Sequence, residues 1–334
     1  MRPTDTAPPH RADLCSEAGF SLIELMVASG LLLIVMTIVT SGLLQMTNSQ
    51  RTIWNRTEMH AGVRSATELL QQEVGQAGRV ALPNTVTLNG PVGVGTATAT
   101  LTPSAAGIFV NELLVVDTGI NQENVQVTAV NAGLNQITIQ SVDYNATPVQ
   151  PSFTIPHAIG APVRAYGGFT TGIIPPLAAP ANYPNGSTGN VLKMYGDING
   201  DGNMVYVEYT CDVNAGKLYR NVMSWTAATK PPLSDSMALL TNITANPNNA
   251  PCFSYTTAVQ KLQGTYFTFV LDVAITLTVQ TNQIDPITRQ KQQETKALLN
   301  VSPRNIFNAW ALAATGYTDR IQSTPTSITA LLYP

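Results

Sequence analysis

The chain is predicted to be α+β, with a long N-terminal α-helix, half of it suited to a bilayer, packed on an antiparallel β-sheet head with long loops. Three observations predict this. Residues 20–46 are an apolar run, and no charged side chain occurs between Leu25 and Gln50. Helical periodicity then continues, with Val63, Ala66, Leu70, Val74 and Ala77 recurring at three- and four-residue steps. Beyond residue 83 the texture changes to short alternating runs separated by turn residues.

The apolar segment of 27 residues would be about 40 Å long as a helix, enough to cross a hydrocarbon core of about 30 Å. It contains no proline; Gly30, Ser41 and Gly42 are its weak points. Arg56, Arg64, Glu68 and Glu73 are assigned to the faces of the following helix that do not carry the apolar stripe. Gly78 and Pro83 mark where it should stop, giving one helix of nearly sixty residues. Strands are expected at 113–116, 125–130, 136–139, 204–210, 217–222, 267–280 and about 292–301. Residues 145–190, rich in Pro, Gly, Ala and Asn, read as long loops, and 282–288 with Asp285-Pro286 as a hairpin connection.

A single carboxylate, Glu24, stands near the start of the apolar run. An ionised Glu costs several kcal/mol in hydrocarbon, so it needs a partner, and a freed α-amino group nearby is the simplest one. Cleavage between Gly19 and Phe20 would supply that amine. Gly19-Phe20-Ser21-Leu22-Ile23-Glu24-Leu25 resembles the class III signal of type IV prepilins and pseudopilins. The resemblance implies a pilin-like fold, cleavage after Gly19 by a membrane prepilin peptidase, N-methylation of Phe20, and a role for Glu24 in assembly. It also places the head outside the cytoplasm, which charge counting does not, because Arg2 and Arg11 are offset by Asp5, Asp13 and Glu17 while Arg51 and Arg56 lie beyond the run.

Composition narrows the function. Of 334 residues only 11% are charged, and the net charge is −3, so no basic face for nucleic acid is expected. Cys15 falls in the leader; Cys211 and Cys252 remain, which in an exported domain permits one disulfide, with two buried thiols as the alternative. Of the three histidines, His10 is in the leader, His60 on the helix and His157 in a loop, none at metal-ligand spacing. No nucleophile elbow or phosphate loop occurs, so no enzyme is expected. Tyr206, Tyr209, Tyr219 and Trp225 read as core or sheet-face residues.

One internal motif carries chemistry. Asp197, Asn199, Asp201, Asn203 and Glu208 have the spacing of a calcium loop, with Gly202 at the sharp turn. The flanks read as strands, so an ordinary solvated hairpin turn stands beside calcium as the alternative.

The region 195–305, ending in Val301-Ser302-Pro303-Arg304-Asn305, resembles large minor pilins of the PilW type and also the J-type pseudopilin of type II secretion. The expected organisation is a leader at 1–19, a transmembrane and assembly helix at 20–46, its soluble continuation at 47–82, a β-rich head at 83–305 and a tail at 306–334. The expected role is that of a minor pilin in initiation or tip assembly of a type IV pilus. Its expected partners are prepilin peptidase, major and minor pilins, the inner-membrane assembly platform and the membrane. The J-type pseudopilin, and a membrane-anchored adhesin, are the alternatives.

Overall fold

The computed structural model describes residues 19–332 apart from 84, 143–149, 177–182, 184 and 263. The leader, with His10 and Cys15, lies outside the described residues.

Helix α1 runs Leu22–Gln76, 55 residues and about 80 Å. Its Ser21 cap uses the side-chain oxygen to accept the Glu24 N–H at 3.2 Å, satisfying one of the orphan donors of the first turn. Val63, Ala66, Leu70 and Val74, with Ala77 just past the helix, are buried as their spacing predicts, and Met59 extends the buried stripe. Two residues past the helix, Gly78 turns the chain, with φ 77° and such close packing that a Cβ would lie 2.8 Å from Ile306 Cγ1. The freed carbonyls there are met by Asn305, whose Nδ2 donates to Gln76 O at 3.2 Å.

After α1 comes a closed, all-antiparallel barrel, β1 (Val86–Leu88), β2 (Thr98–Thr102), β3 (Leu113–Val116), β4 (Glu123–Asn131), β5 (Gln136–Ser141) and β6 (Pro162–Ala165), in the order β1-β2-β5-β4-β3-β6. Closure leaves no free edge, and alternating inward residues such as Val125, Val127, Ile137 and Ile139 fill a core of their own. Three of these strands lie where the sequence predicts them. The closed barrel itself was not expected, and β6 with β7 (Gly168–Phe169) falls inside the stretch read as loop.

The rest of the head is two antiparallel sheets. One comprises β8 (Val191–Gly196), β9 (Val205–Asp212), β10 (Lys217–Ser224) and β11 (Ala238–Thr241) in sequence order. The other is built on the 16-residue strand β14 (Thr265–Gln280), which pairs with β12 (Ile243–Thr244), β13 (Phe253–Leu262) and β15 (Gln293–Val301). Side chains from both sheets meet the buried face of α1 in the largest apolar cluster, around Leu70, Val74, Leu192, Val207, Phe269 and Leu277.

The chain does not finish as a plain tail. Helix α2 (Arg304–Ala314) buries Ile306, Ala309 and Ala313, β16 (Ile321–Gln322) pairs in parallel with β7, and α3 (Thr326–Leu332) follows. The Gln322 side chain accepts Leu113 N–H at 2.9 Å and donates to Leu113 O at 2.7 Å, tying the C-terminal segment to the barrel.

Candidate functional site

The apolar half of α1 packs against no other described element. Every residue from Gly19 to Met46 is exposed, including Leu33, Ile38 and Leu44. A surface of that extent is not left to water in a soluble protein. Several of its hydroxyls are satisfied within the helix. Ser29 Oγ donates to Leu25 O at 2.8 Å, Thr37 Oγ1 to Leu33 O at 2.8 Å and Thr47 Oγ1 to Leu43 O at 2.9 Å. In lipid, where no water competes, such internal bonds are what make hydroxyls tolerable.

Gly19 and Phe20 precede the helix in exposed chain without regular structure, where a protease can reach the bond between them. Glu24 sits one turn further in. Ser21 and Glu24 have the spacing of a capping box, yet only the Ser21 half is made. The Glu24 carboxylate has no partner among the described residues.

The lower half of α1 is fixed to the head by an ion pair that sequence reasoning placed on the wrong face. Glu73 is buried between Leu70 and Val74 rather than exposed. Its Oε2 accepts Tyr209 Oη at 2.5 Å, and Arg220 Nε donates to Oε1 at 3.0 Å, with a further bond from Arg220 Nη2. Burial drives the Tyr209 pKa up, and the adjacent Glu73 carboxylate drives it further, so the phenol stays a donor. The helix position itself was the available signal. Residue 73 lies three after Leu70 and one before Val74, inside the apolar arc rather than opposite it.

The loop between β8 and β9 does not assemble the expected calcium ligands. Asp197 is fully buried, and its Oδ1 accepts the N–H groups of Asp201 at 3.0 Å and Gly202 at 3.3 Å. Its Oδ2 lies 3.4 Å from Arg79 Nε, so a guanidinium from the end of α1 stands on the carboxylate that a cation would need. Asp201 Oδ1 is taken by Asn203 N–H at 2.9 Å. Glu208 is elsewhere, because it faces Lys193 in the β8–β9 ladder, three steps above the Gly196–Val205 pair that closes the hairpin. At 3.3 Å per step that is roughly 10 Å from the tip. There it accepts Tyr206 Oη and Lys230 Nζ, both at 2.9 Å. Thus Asp197, Asn199, Asp201, Asn203 and Glu208 are not one coordination set. Sequence spacing counted twelve positions correctly, but a strand carries the twelfth away, where a helix would return it.

Among the described residues no group of three or more His, Cys, Asp or Glu side chains could hold a metal ion. The nearest approach is in the barrel, where the buried His157 ring meets Asp117 Oδ2 at 3.3 Å through Nδ1 and Glu123 Oε2 at 3.1 Å through Nε2. The two carboxylates lie on opposite edges of the ring and share no point with it. Burial pushes the Glu123 pKa up, but hydrogen bonds from Thr154 and His157 help to outweigh it and hold the carboxyl below its usual range. The trio pins the 154–157 loop to the barrel end. Cys211 and Cys252 are joined at 2.08 Å, linking β9 to the start of β13 and so one sheet to the other.

Residues 14–40 match the family described as the prokaryotic N-terminal methylation motif. The N-terminus carries that motif. The match spans the Gly19-Phe20 junction, Glu24 and the first part of the exposed helix, and it is a structural rather than a catalytic motif. No curated protein matches the chain.

Proposed function

We propose that the protein is a minor pilin of the PilW type. Prepilin peptidase cuts it after Gly19 and methylates Phe20, and it serves in priming or at the tip of a type IV pilus. Residues 20–46 hold it in the inner membrane as a single span with the head outside the cytoplasm. The assembly platform then transfers it among the major and minor pilins. The observation that carries this reading is Glu24, an unpaired carboxylate one turn into a fully exposed apolar helix, beside the amine that cleavage would create. A charge pair in lipid is far less costly than either charge alone. The pairing can form with the chain's own amine or with that of a neighbour, and the second choice makes it an assembly contact. The large head, with its barrel and two sheets, favours a low-copy position over one repeated at every step of a thin fibre.

The test is co-purification. Glu24→Ala should leave a membrane-bound, folded protein that no longer recovers the other minor pilins from its native membrane. Undiminished recovery would refute the role given to Glu24. Recovery of type II secretion proteins instead of pilus proteins would make the chain a J-type pseudopilin.

A further inference from the structure

The connection between β14 and β15, residues 281–292, is a built loop rather than slack chain. Asp285 turns inward and its Oδ1 accepts Ile287 N–H at 2.7 Å and Thr288 N–H at 2.9 Å, while Arg289 N–H donates to Asp285 O at 2.8 Å. The Thr281 hydroxyl closes the base, accepting Gln292 N–H at 3.1 Å. The loop lies along α1. Asp285 interacts with Thr52 and Arg56, Arg56 Nε donates to Gln292, and His60 contacts Glu294.

This arrangement puts the loop at the level of Thr52, just past the charge-free run that ends at Gln50, where a spanning helix leaves the lipid. At this height α1 carries Arg51, Ile53 and an exposed Trp54, the amphipathic kind of residue that anchors at the headgroup layer. With Asp285 tucked in, the side chains the loop presents outward include Ile284 and Ile287, 61% and 63% exposed, and the cations Arg289 and Lys291. Isoleucines held by a hydrogen-bonded turn serve no internal packing. Apolar residues flanked by cations are the chemistry of an anionic lipid interface, where the first enter the acyl boundary and the second meet phosphate.

We propose that the β14–β15 loop is a second membrane contact, Ile284 and Ile287 inserting into the headgroup layer of the bilayer that α1 spans and Arg289 and Lys291 pairing with anionic lipid phosphates. Two contacts on one rigid head fix its tilt and rotation on the membrane before assembly, and the loop must leave the lipid when the subunit enters a fibre. The inference rests on the membrane-spanning reading of residues 20–46.

The test uses the full processed chain in vesicles of phosphatidylethanolamine and phosphatidylglycerol. The photoreactive residue benzoylphenylalanine is placed singly at position 284, 287, 120 or 33, and adducts are identified by mass. Position 33 lies within the span, and position 120 is an exposed isoleucine on the barrel. The expected result is phospholipid adduct at 33, 284 and 287 and none at 120, with the yield at 284 and 287 falling in Arg289→Gln/Lys291→Gln or in phosphatidylcholine alone. Lipid adduct at 33 but not at 284 or 287 would overturn the loop contact and leave the spanning reading standing. No adduct at 33 would overturn both. A protein–protein adduct at 284 or 287 would assign the surface to a second chain instead.

Discussion

Glu112 offers a perturbation whose size follows from the structure. It is fully buried, its Oε2 accepts Phe109 N–H at 3.1 Å, and Oε1 has no hydrogen-bond partner among the described residues. Burial raises its pKa from 4.5 to about 8, with the Phe109 bond opposing. The unfolded chain gives up this proton near 4.5 and the folded chain near 8. Between those values the folded state alone keeps it, and stability falls as pH rises. At about 1.4 kcal/mol per unit, the cost is about 3 kcal/mol at pH 7 and levels off near 5 above pH 8. Glu112→Gln keeps the acceptor for Phe109 and removes the titration. The parent protein and the variant should melt alike at pH 4, and the variant should gain progressively up to pH 8, with a constant difference beyond. Thermal melts across that range in detergent provide the measurement. Parallel curves, or a variant less stable at pH 8 than at pH 4 relative to the parent, would refute the reasoning.

Two further perturbations probe how α1 is held by the head and how the two sheets of the head are joined. Glu73→Ala leaves Arg220 and Tyr209 facing a buried void of charge and should cost about 3–5 kcal/mol, read as a lowered midpoint in denaturant, whereas Arg64→Ala on the exposed face should change it little. Replacing Cys211 and Cys252 together by Ser opens a link between residues 41 apart. The chain-entropy relation then gives a loss of about 4 kcal/mol. The same loss should appear in the parent on reduction, and an unchanged midpoint in both would mean that the bridge constrains nothing.

Which parts of this fold could be read from sequence follows the length of each signal. The stripe Val63-Ala66-Leu70-Val74-Ala77 spans four turns, and all five residues are buried. Long strands such as β14 and β15 also stood out. The barrel did not, because β1 has three residues and β6 four, too short for alternation to rise above a Thr- and Ala-rich background. Helix α2 carries a pattern in Ile306, Ala309 and Ala313, but at about three turns it is short enough to be read as tail. At the sites, the Gly19-Phe20-Glu24 motif depends only on local spacing at the start of α1, the kind of signal that a sequence displays directly. Glu73 was missed because a glutamate on a helix is ordinarily solvated. Its partners Tyr209 and Arg220 come from strands more than 130 residues away in sequence. The Asp197 loop misled for a similar reason. Spacing gives the order of its carboxylates, but the β8–β9 register decides that Glu208 points to Lys230 and that Arg79 fills the loop.

The central claim is processing at the head of α1, and the N-terminus of the protein purified from its own membrane tests it most directly. Intact and N-terminal peptide mass analysis should find a chain beginning at Phe20 with one added methyl group and without residues 1–19. Gly19 replaced by a bulky residue should accumulate as uncleaved, membrane-retained precursor. A chain still beginning near Met1 in cells that process their other prepilins would contradict the account.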